Sequence, residues 1–210
     1  VSPNTYRGNM TAEQYIGTVL EKLLELDAKG EGLSGFICEP IYGNAGGIPL
    51  PSGYLKKVYQ EIRSRGGLCI ADEVQVGYGR TGHHFWGFEE QQVVPDIITI
   101  AKGMGNGHPL GAVITRKEIA DALEKEGYFF SSAGGSPVSS VVGNTVLDIM
   151  EDEQLQANAR NVGYHLKRRL EALKQQYPLI GAVHGMGLYM GLEFVRDHAS
   201  LEPATEETMA

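Results

Sequence analysis

Apolar and polar positions follow two periods along this chain. In "TAEQYIGTVLEKLLELDAKGEG", Ile16, Val19, Leu20, Leu23 and Leu24 recur at helical spacing, which predicts a helix with one apolar face. Thr11 followed three residues later by Gln14 forms a capping-box pattern at its start, and Gly30 can close it. "SGYLKKVYQEIRSRGG" repeats this logic, with Ser52 as cap, Leu55, Val58 and Ile62 as the inner stripe, and Gly66 as the stop. Four short apolar runs, "SGFICEP", "LCIADEV", "DIITIAK" and "GAVIT", read as buried strands.

Near-continuous apolar strands with an intervening helix predict an α/β fold: a mainly parallel sheet with helices on both faces. Further along, "RKEIADALEKEG", the segment from Pro137 to Met150, and "DEQLQANARNVGYHLKRRLEALKQQY" are helical by period. "IGAVHGMGLYMGLEFV" reads as two strands joined by a glycine turn. A boundary falls near Glu153. Residues 1–152 are expected to form a large sheet domain, and residues 153–210 a connecting helix and the start of a smaller α/β domain. The chain lacks an initiator methionine and stops inside the helix-like "ATEETMA", so a fragment of something longer is expected.

Composition narrows the partners more than the fold. Hydrophobic residues at 42% and charged residues at 21% are ordinary for a soluble globular protein. A net charge of −8 argues against a nucleic-acid surface, which needs clustered Lys and Arg. The basic stretch "LKRRLEALK" reads as a solvated helix face. Cys38 and Cys69 each sit inside an apolar run, so free buried thiols and a cytoplasmic location are expected. No signal peptide or membrane-length apolar run is present, so no membrane partner is expected. His83, His84 and His108 lack acids or cysteines at ligand spacing, and no metal is expected. "GMGLYMG" lacks the dinucleotide-loop spacing, and in "AKGMGNG" the lysine precedes the glycines, unlike a P-loop. Trp86, with Phe85 and Phe88, reads as core or subunit interface.

In open α/β sheets ligands collect at the carboxyl ends of the strands, and three ionisable residues fall there: Glu39, Asp72 and Lys102. Singly, each could cap a loop or take a salt bridge. Together, an acid at one strand end and a lysine at another suit pyridoxal phosphate, whose aldehyde needs an amine and whose ring nitrogen needs an acid to stay protonated. Lys102, freed by substrate, can act as the base that moves the substrate's proton. Gly103, Gly105 and Gly107 let the backbone approach the ring. On this reading Lys102 is expected to be buried.

"IADEVQVGYGRTGHHFWGFE" and "VVPDIITIAKGMGNGHPLGAVIT" resemble the signature of class-III aminotransferases, the fold-type I pyridoxal phosphate enzymes, and the resemblance runs from "TYRG" to "LEFVRD". It implies a large domain of fold-type I, in part, and a homodimer acting on an amino donor and an oxo acid. It also implies that Asp72 pairs with the ring nitrogen, Val74 packs on one ring face, Gln75 bonds the ring hydroxyl and Lys102 forms the Schiff base. Ser132, in "SSAGGSP", falls where the family usually carries a threonine that reaches the cofactor phosphate of the neighbouring subunit. "HFWGF", "GNGHPLGAV" and "LEPAT" are most similar to the branch holding alanine–glyoxylate aminotransferase and the phospho-lyases of phosphoethanolamine and phosphohydroxylysine. Asn44 departs from the ornithine and γ-aminobutyrate enzymes, which carry a glutamate there. The family's phosphate cup and ring-stacking aromatic are expected to precede this chain, and its substrate-carboxylate arginine to follow it. Three functions stay open: a transaminase, a phospho-lyase on the same scaffold, and a fragment that only folds or dimerises.

Overall fold

The computed structural model of this protein describes residues 3–8, 10–127 and 130–209. Helix α1 (Ala12–Lys29) leads into strand β1 (Gly35–Cys38), and a small antiparallel pair, β2 (Ile41–Tyr42) and β3 (Ile48–Pro49), follows. Helix α2 (Tyr54–Ser64) then precedes strands β4 (Leu68–Asp72), β5 (Ile97–Ile100) and β6 (Ala112–Thr115). The main sheet has the order β1-β4-β5-β6, with the first three strands parallel and β6 antiparallel to β5. The antiparallel edge follows from the short link between Ile100 and Ala112, which holds only the Lys102–Gly105 turn and no crossover helix. This is the α/β architecture with a mainly parallel sheet expected from the apolar runs.

Helix α2 supplies the centre of the core. Leu55, Val58 and Ile62 are fully or almost fully buried and cluster with Cys69 of β4, while Tyr15 and Leu23 of α1 join from outside. The capping box of α1 is formed: the Thr11 N–H donates to Gln14 Oε1 at 2.7 Å, and the Gln14 N–H donates to Thr11 Oγ1 at 3.3 Å. Gly30 ends the helix at φ +67°. Two expectations are corrected. Leu24 is 59% exposed, because α1 packs against α2 along a narrower stripe than the apolar pattern suggested. Ser52 does not cap α2. Gly53 holds that position at φ +77°, and the Tyr54 N–H is satisfied by the Pro51 carbonyl at 3.1 Å, a backbone turn replacing the side-chain cap.

Asp96 ties the start of β5 to its surroundings. Its carboxylate accepts from the Cys69 N–H at 2.8 Å and pairs with Arg63 and Arg116, each at 3.1 Å. Burial alone would raise its pKa, but the Cys69 N–H and the two guanidinium groups outweigh burial and hold it below the usual range. Cys38 and Cys69 are free and buried, and burial pushes their thiols to about 12 and about 11.

The second half runs through helix α3 (Lys117–Glu126), helix α4 (Pro137–Asp152) and helix α5 (Leu155–Gln176) into a separate antiparallel sheet. Strands β7 (Ile180–Met186) and β8 (Tyr189–Asp197) form its hairpin; β9 (Glu202–Pro203) pairs with β8, and α6 (Thr205–Met209) follows. Gly187 makes the turn at φ +56°, and α5 passes so close at Gly163 that a Cβ there would overlap the Gly187 carbonyl. The basic stretch is mostly exposed, yet Lys167 donates to the Gly185 carbonyl at 2.9 Å and so anchors this hairpin. The hairpin also reaches the first sheet's loops, where the Leu188 N–H donates to the Arg80 carbonyl at 3.0 Å.

Candidate active site

Parallel pairing puts the carboxyl ends of β4 and β5 side by side. Asp72 closes β4 opposite Thr99 of β5, and the next residue, Glu73, donates its N–H to the Thr99 carbonyl at 2.9 Å. Lys102 lies two residues beyond the end of β5. Asp72 and Lys102 therefore lie at and just past the ends of neighbouring parallel strands, which are spaced about 5 Å apart.

A cleft of about 530 Å³ opens at these strand ends. The loop after β4 forms one wall with Val74, Gln75 and Tyr78. Lys102 and Gly103 form another, and Met150 of α4 and Tyr189 of β8 close it. Such a volume suits a small ring-bearing ligand. Asp72, one residue before this wall, does not itself line the cleft; its Oδ1 accepts the Val74 N–H at 3.1 Å. That bond turns the chain sharply out of the strand and presents Val74 and Gln75 to the cleft.

Lys102 is exposed, which corrects the expectation of a buried lysine. Its position past the strand end removes it from the packing that covers β5. Its backbone is in the left-handed region at φ +49°, as is that of Tyr78, at φ +61°, across the cleft. A non-glycine residue there costs about 1 kcal/mol or more, and such strain clusters at functional sites. Nothing in the apolar pattern announced it.

Glu73 directly follows Asp72 and carries no signal of its own in the sequence. It is only 2% exposed. Its carboxylate accepts from the Gly87 and Phe88 N–H groups, each at 2.8 Å, pulling the far end of the loop back onto the strand end. Burial raises its pKa to about 7; the two N–H donors work against this, and the nearby Glu89 and Asp72 add to it. The aromatic residues of the same loop pack on one another: Trp86 lies edge-on to Phe85 at 4.8 Å and stacked with Phe88 at 6.2 Å.

The remaining candidates divide. Glu39, half-buried just past β1, accepts the Gly43 N–H at 2.9 Å, close to Gln75. Asn44 is exposed in the β2–β3 turn. Ser132 is exposed in the loop before α4 and does not line the cleft. His108 bonds Ser139 at 2.9 Å, and His84 faces Glu90 at 3.4 Å. Tyr78 and Tyr189 line the cleft although their sequence positions carried no signal of it.

The residues present fit pyridoxal phosphate in kind: an amine, an apolar side chain and an amide line one cleft, and a carboxylate ends the adjoining strand. The chain matches the family described as Aminotransferase class-III over residues 2–208. It belongs to that family. Among curated relatives it is 47% identical to alanine–glyoxylate aminotransferase 2 homolog 2, mitochondrial, of Arabidopsis thaliana, covering 100% of this chain and 43% of the relative. It is 43% identical to the human alanine–glyoxylate aminotransferase 2, mitochondrial, covering 93% and 38%. Among solved structures, a phospholyase from Arthrobacter in complex with phosphoethanolamine superposes with a TM-score of 0.87 at 40% identity, covering 92% of this chain and 46% of that one. An (S)-enantioselective omega-transaminase from Thermomicrobium roseum gives 0.84 at 37%, covering 96% and 46%. The chain thus spans less than half the length of each of these four relatives. These relatives correct one expectation. The Arabidopsis and human proteins are mitochondrial by name, which overturns the cytoplasmic location inferred from the cysteines. Free thiols report a reducing environment, not a compartment.

Proposed function

We propose that the protein to which this chain belongs is a pyridoxal phosphate-dependent aminotransferase, exchanging an amino group between an amino acid or amine and an oxo acid. The observation that carries this reading is the convergence of Lys102, Val74 and Gln75 on one cleft beside Asp72, across two adjacent parallel strands. When bound, the cofactor supplies an aldehyde conjugated to a ring that can accept an electron pair. Asp72 would keep the ring nitrogen protonated by charge attraction. Val74 would cover one ring face, and the Gln75 amide would donate to the ring hydroxyl. Lys102 Nζ would bind the aldehyde carbon, and once displaced by a substrate amine would take the proton from the substrate carbon. The left-handed turn at Lys102 holds the start of that side chain in one direction, which limits the number of poses from which proton transfer occurs.

The exposure of Ser132, outside its own cleft, supports a homodimer in which it serves the partner's cofactor phosphate. The separate sheet after α5 supports a division between large and small domains near Glu153. The likeness to the Arthrobacter phospholyase favours a second reading on the same residues: proton removal at the substrate carbon, followed by expulsion of phosphate from the adjacent carbon.

The test uses the full-length protein. Loading with pyridoxal phosphate, borohydride reduction and peptide mapping should put the cofactor's mass on Lys102. Amino donors with oxo acids should then yield new amino acid. Release of inorganic phosphate from phosphoethanolamine without such exchange would favour the lyase, and absence of label on Lys102 would leave only a fold-bearing role.

A further inference from the structure

One polar cluster beside the cleft belongs to none of the roles above. A Cβ placed on Gly43 would overlap the hydroxyl of Tyr189, and would lie 2.7 Å from Gln75 Nε2 and 3.0 Å from Glu39 Oε2. Three side chains from three separate elements thus converge on the space that this glycine leaves: Glu39 after β1, Gln75 after β4 and Tyr189 opening β8. The backbone does not require glycine here, since φ at Gly43 lies outside the left-handed region. Room is what it provides.

A tyrosine at the start of a strand ordinarily serves packing, and a phenylalanine would do the same. Here the ring brings its hydroxyl into the space beside Gly43 that a carboxylate and an amide also border. The Glu39 carboxylate is already oriented by the Gly43 N–H at 2.9 Å, and no Lys or Arg pairs with it among the described residues. It is therefore free to accept from neutral donors, and the phenol and the amide nitrogen border the same space beside Gly43. Burial, and then the charges of Glu39 and Asp72, raise the pKa of Tyr189, so the phenol keeps its proton to donate.

We propose that Tyr189 is a positioning residue: with Glu39, it fixes the Gln75 amide in the orientation that meets the cofactor's ring hydroxyl, and so links the C-terminal sheet to the site. This rests on the reading in which Gln75 contacts that hydroxyl. The ring hydroxyl is coupled electronically to the atom held by Lys102, so a loosened Gln75 changes the cofactor's titration and not only the rate.

The experiment compares the full-length holoenzyme with Tyr189→Phe, Gly43→Ala and the double variant. Tyr189→Phe should load normally and melt as the wild type does, while the pH midpoint of the bound cofactor's visible absorbance moves by about half a unit or more. kcat should fall about tenfold, the scale of one hydrogen bond to a charged group, with KM changed less than about threefold. Gly43→Ala should reproduce both effects by evicting the hydroxyl, and the double variant should be no worse than Gly43→Ala alone. If Tyr189→Phe loads normally and keeps the wild-type midpoint and kcat, the tyrosine only packs and the proposal is overturned; that single variant decides even where Gly43→Ala does not fold. A wild-type protein that takes no cofactor on Lys102 overturns the underlying function, and this proposal with it.

Discussion

Replacing Glu73 by Gln should change stability by an amount that shrinks as pH rises. Glu73 is almost completely buried, and its folded-state pKa is about 7 against an ordinary 4.5. Between those two values the folded protein holds a proton that the unfolded chain has already lost. Stability therefore falls as pH rises through that window, and levels off above about 7. At about 1.4 kcal/mol for each pH unit, the full loss is about 3 kcal/mol. Gln cannot ionise and escapes this loss. It also has only one acceptor oxygen for the Gly87 and Phe88 N–H groups, so one buried donor goes unpaired, at about 1–3 kcal/mol independent of pH. At pH 5 the variant should be the less stable protein by that amount. By pH 8 the deficit should have shrunk by about 2–3 kcal/mol, to near zero or a small advantage. Denaturant midpoints of the full-length apoprotein and its variant at pH 5, 6, 7 and 8 measure the difference, in which the other titrating groups cancel. A deficit that stays constant or grows with pH would refute the reasoning. It would mean that the two N–H donors hold the carboxylate ionised throughout.

Three further outcomes are expected. Lys102→Ala in the full-length enzyme should abolish borohydride-fixed cofactor label on the protein and lower turnover by about a thousandfold or more with the fold intact; near-normal turnover would rule out the assignment. Asp96→Asn keeps an acceptor for the Cys69 N–H but loses the charge that Arg63 and Arg116 face, at about 1–3 kcal/mol near neutral pH. Because the Asp96 pKa is depressed below 3.8, this cost should fade as pH drops through that region, visible as converging melting curves. Gly163→Ala forces α5 away from the β7–β8 turn and should cost about 2–3 kcal/mol, whereas Gly17→Ala, with nothing near its Cβ, should be neutral or stabilising in the same melts.

The sequence alone determined the elements and the order in which chemistry appears along them. Period-3.6 and continuous apolar runs are local consequences of which faces must leave water, so α1, α2 and the four strands were legible, as was Gly30 as a helix stop, although β6, expected to be buried, leaves Val113 65% exposed. The strand-end positions of Asp72 and Lys102 followed from the same rule, and the family resemblance supplied their roles. What the sequence did not carry depends on residues distant in the chain. Leu24 looked like core until α1 was seen to pack chiefly against α2 and leave it exposed. Ser52 looked like a cap until the backbone turn at Gly53 replaced it. Lys102 looked buried, but burial is decided by what covers the end of a strand. Glu73 owes its raised pKa to burial, and the loop that returns fourteen residues later to bond it works against the rise. Tyr189 joined Glu39 and Gln75 because the C-terminal hairpin folds back over Gly43. Local pattern reports how each segment meets water; only tertiary structure decides which polar groups meet one another, because that contact is made between segments that carry no information about each other's place.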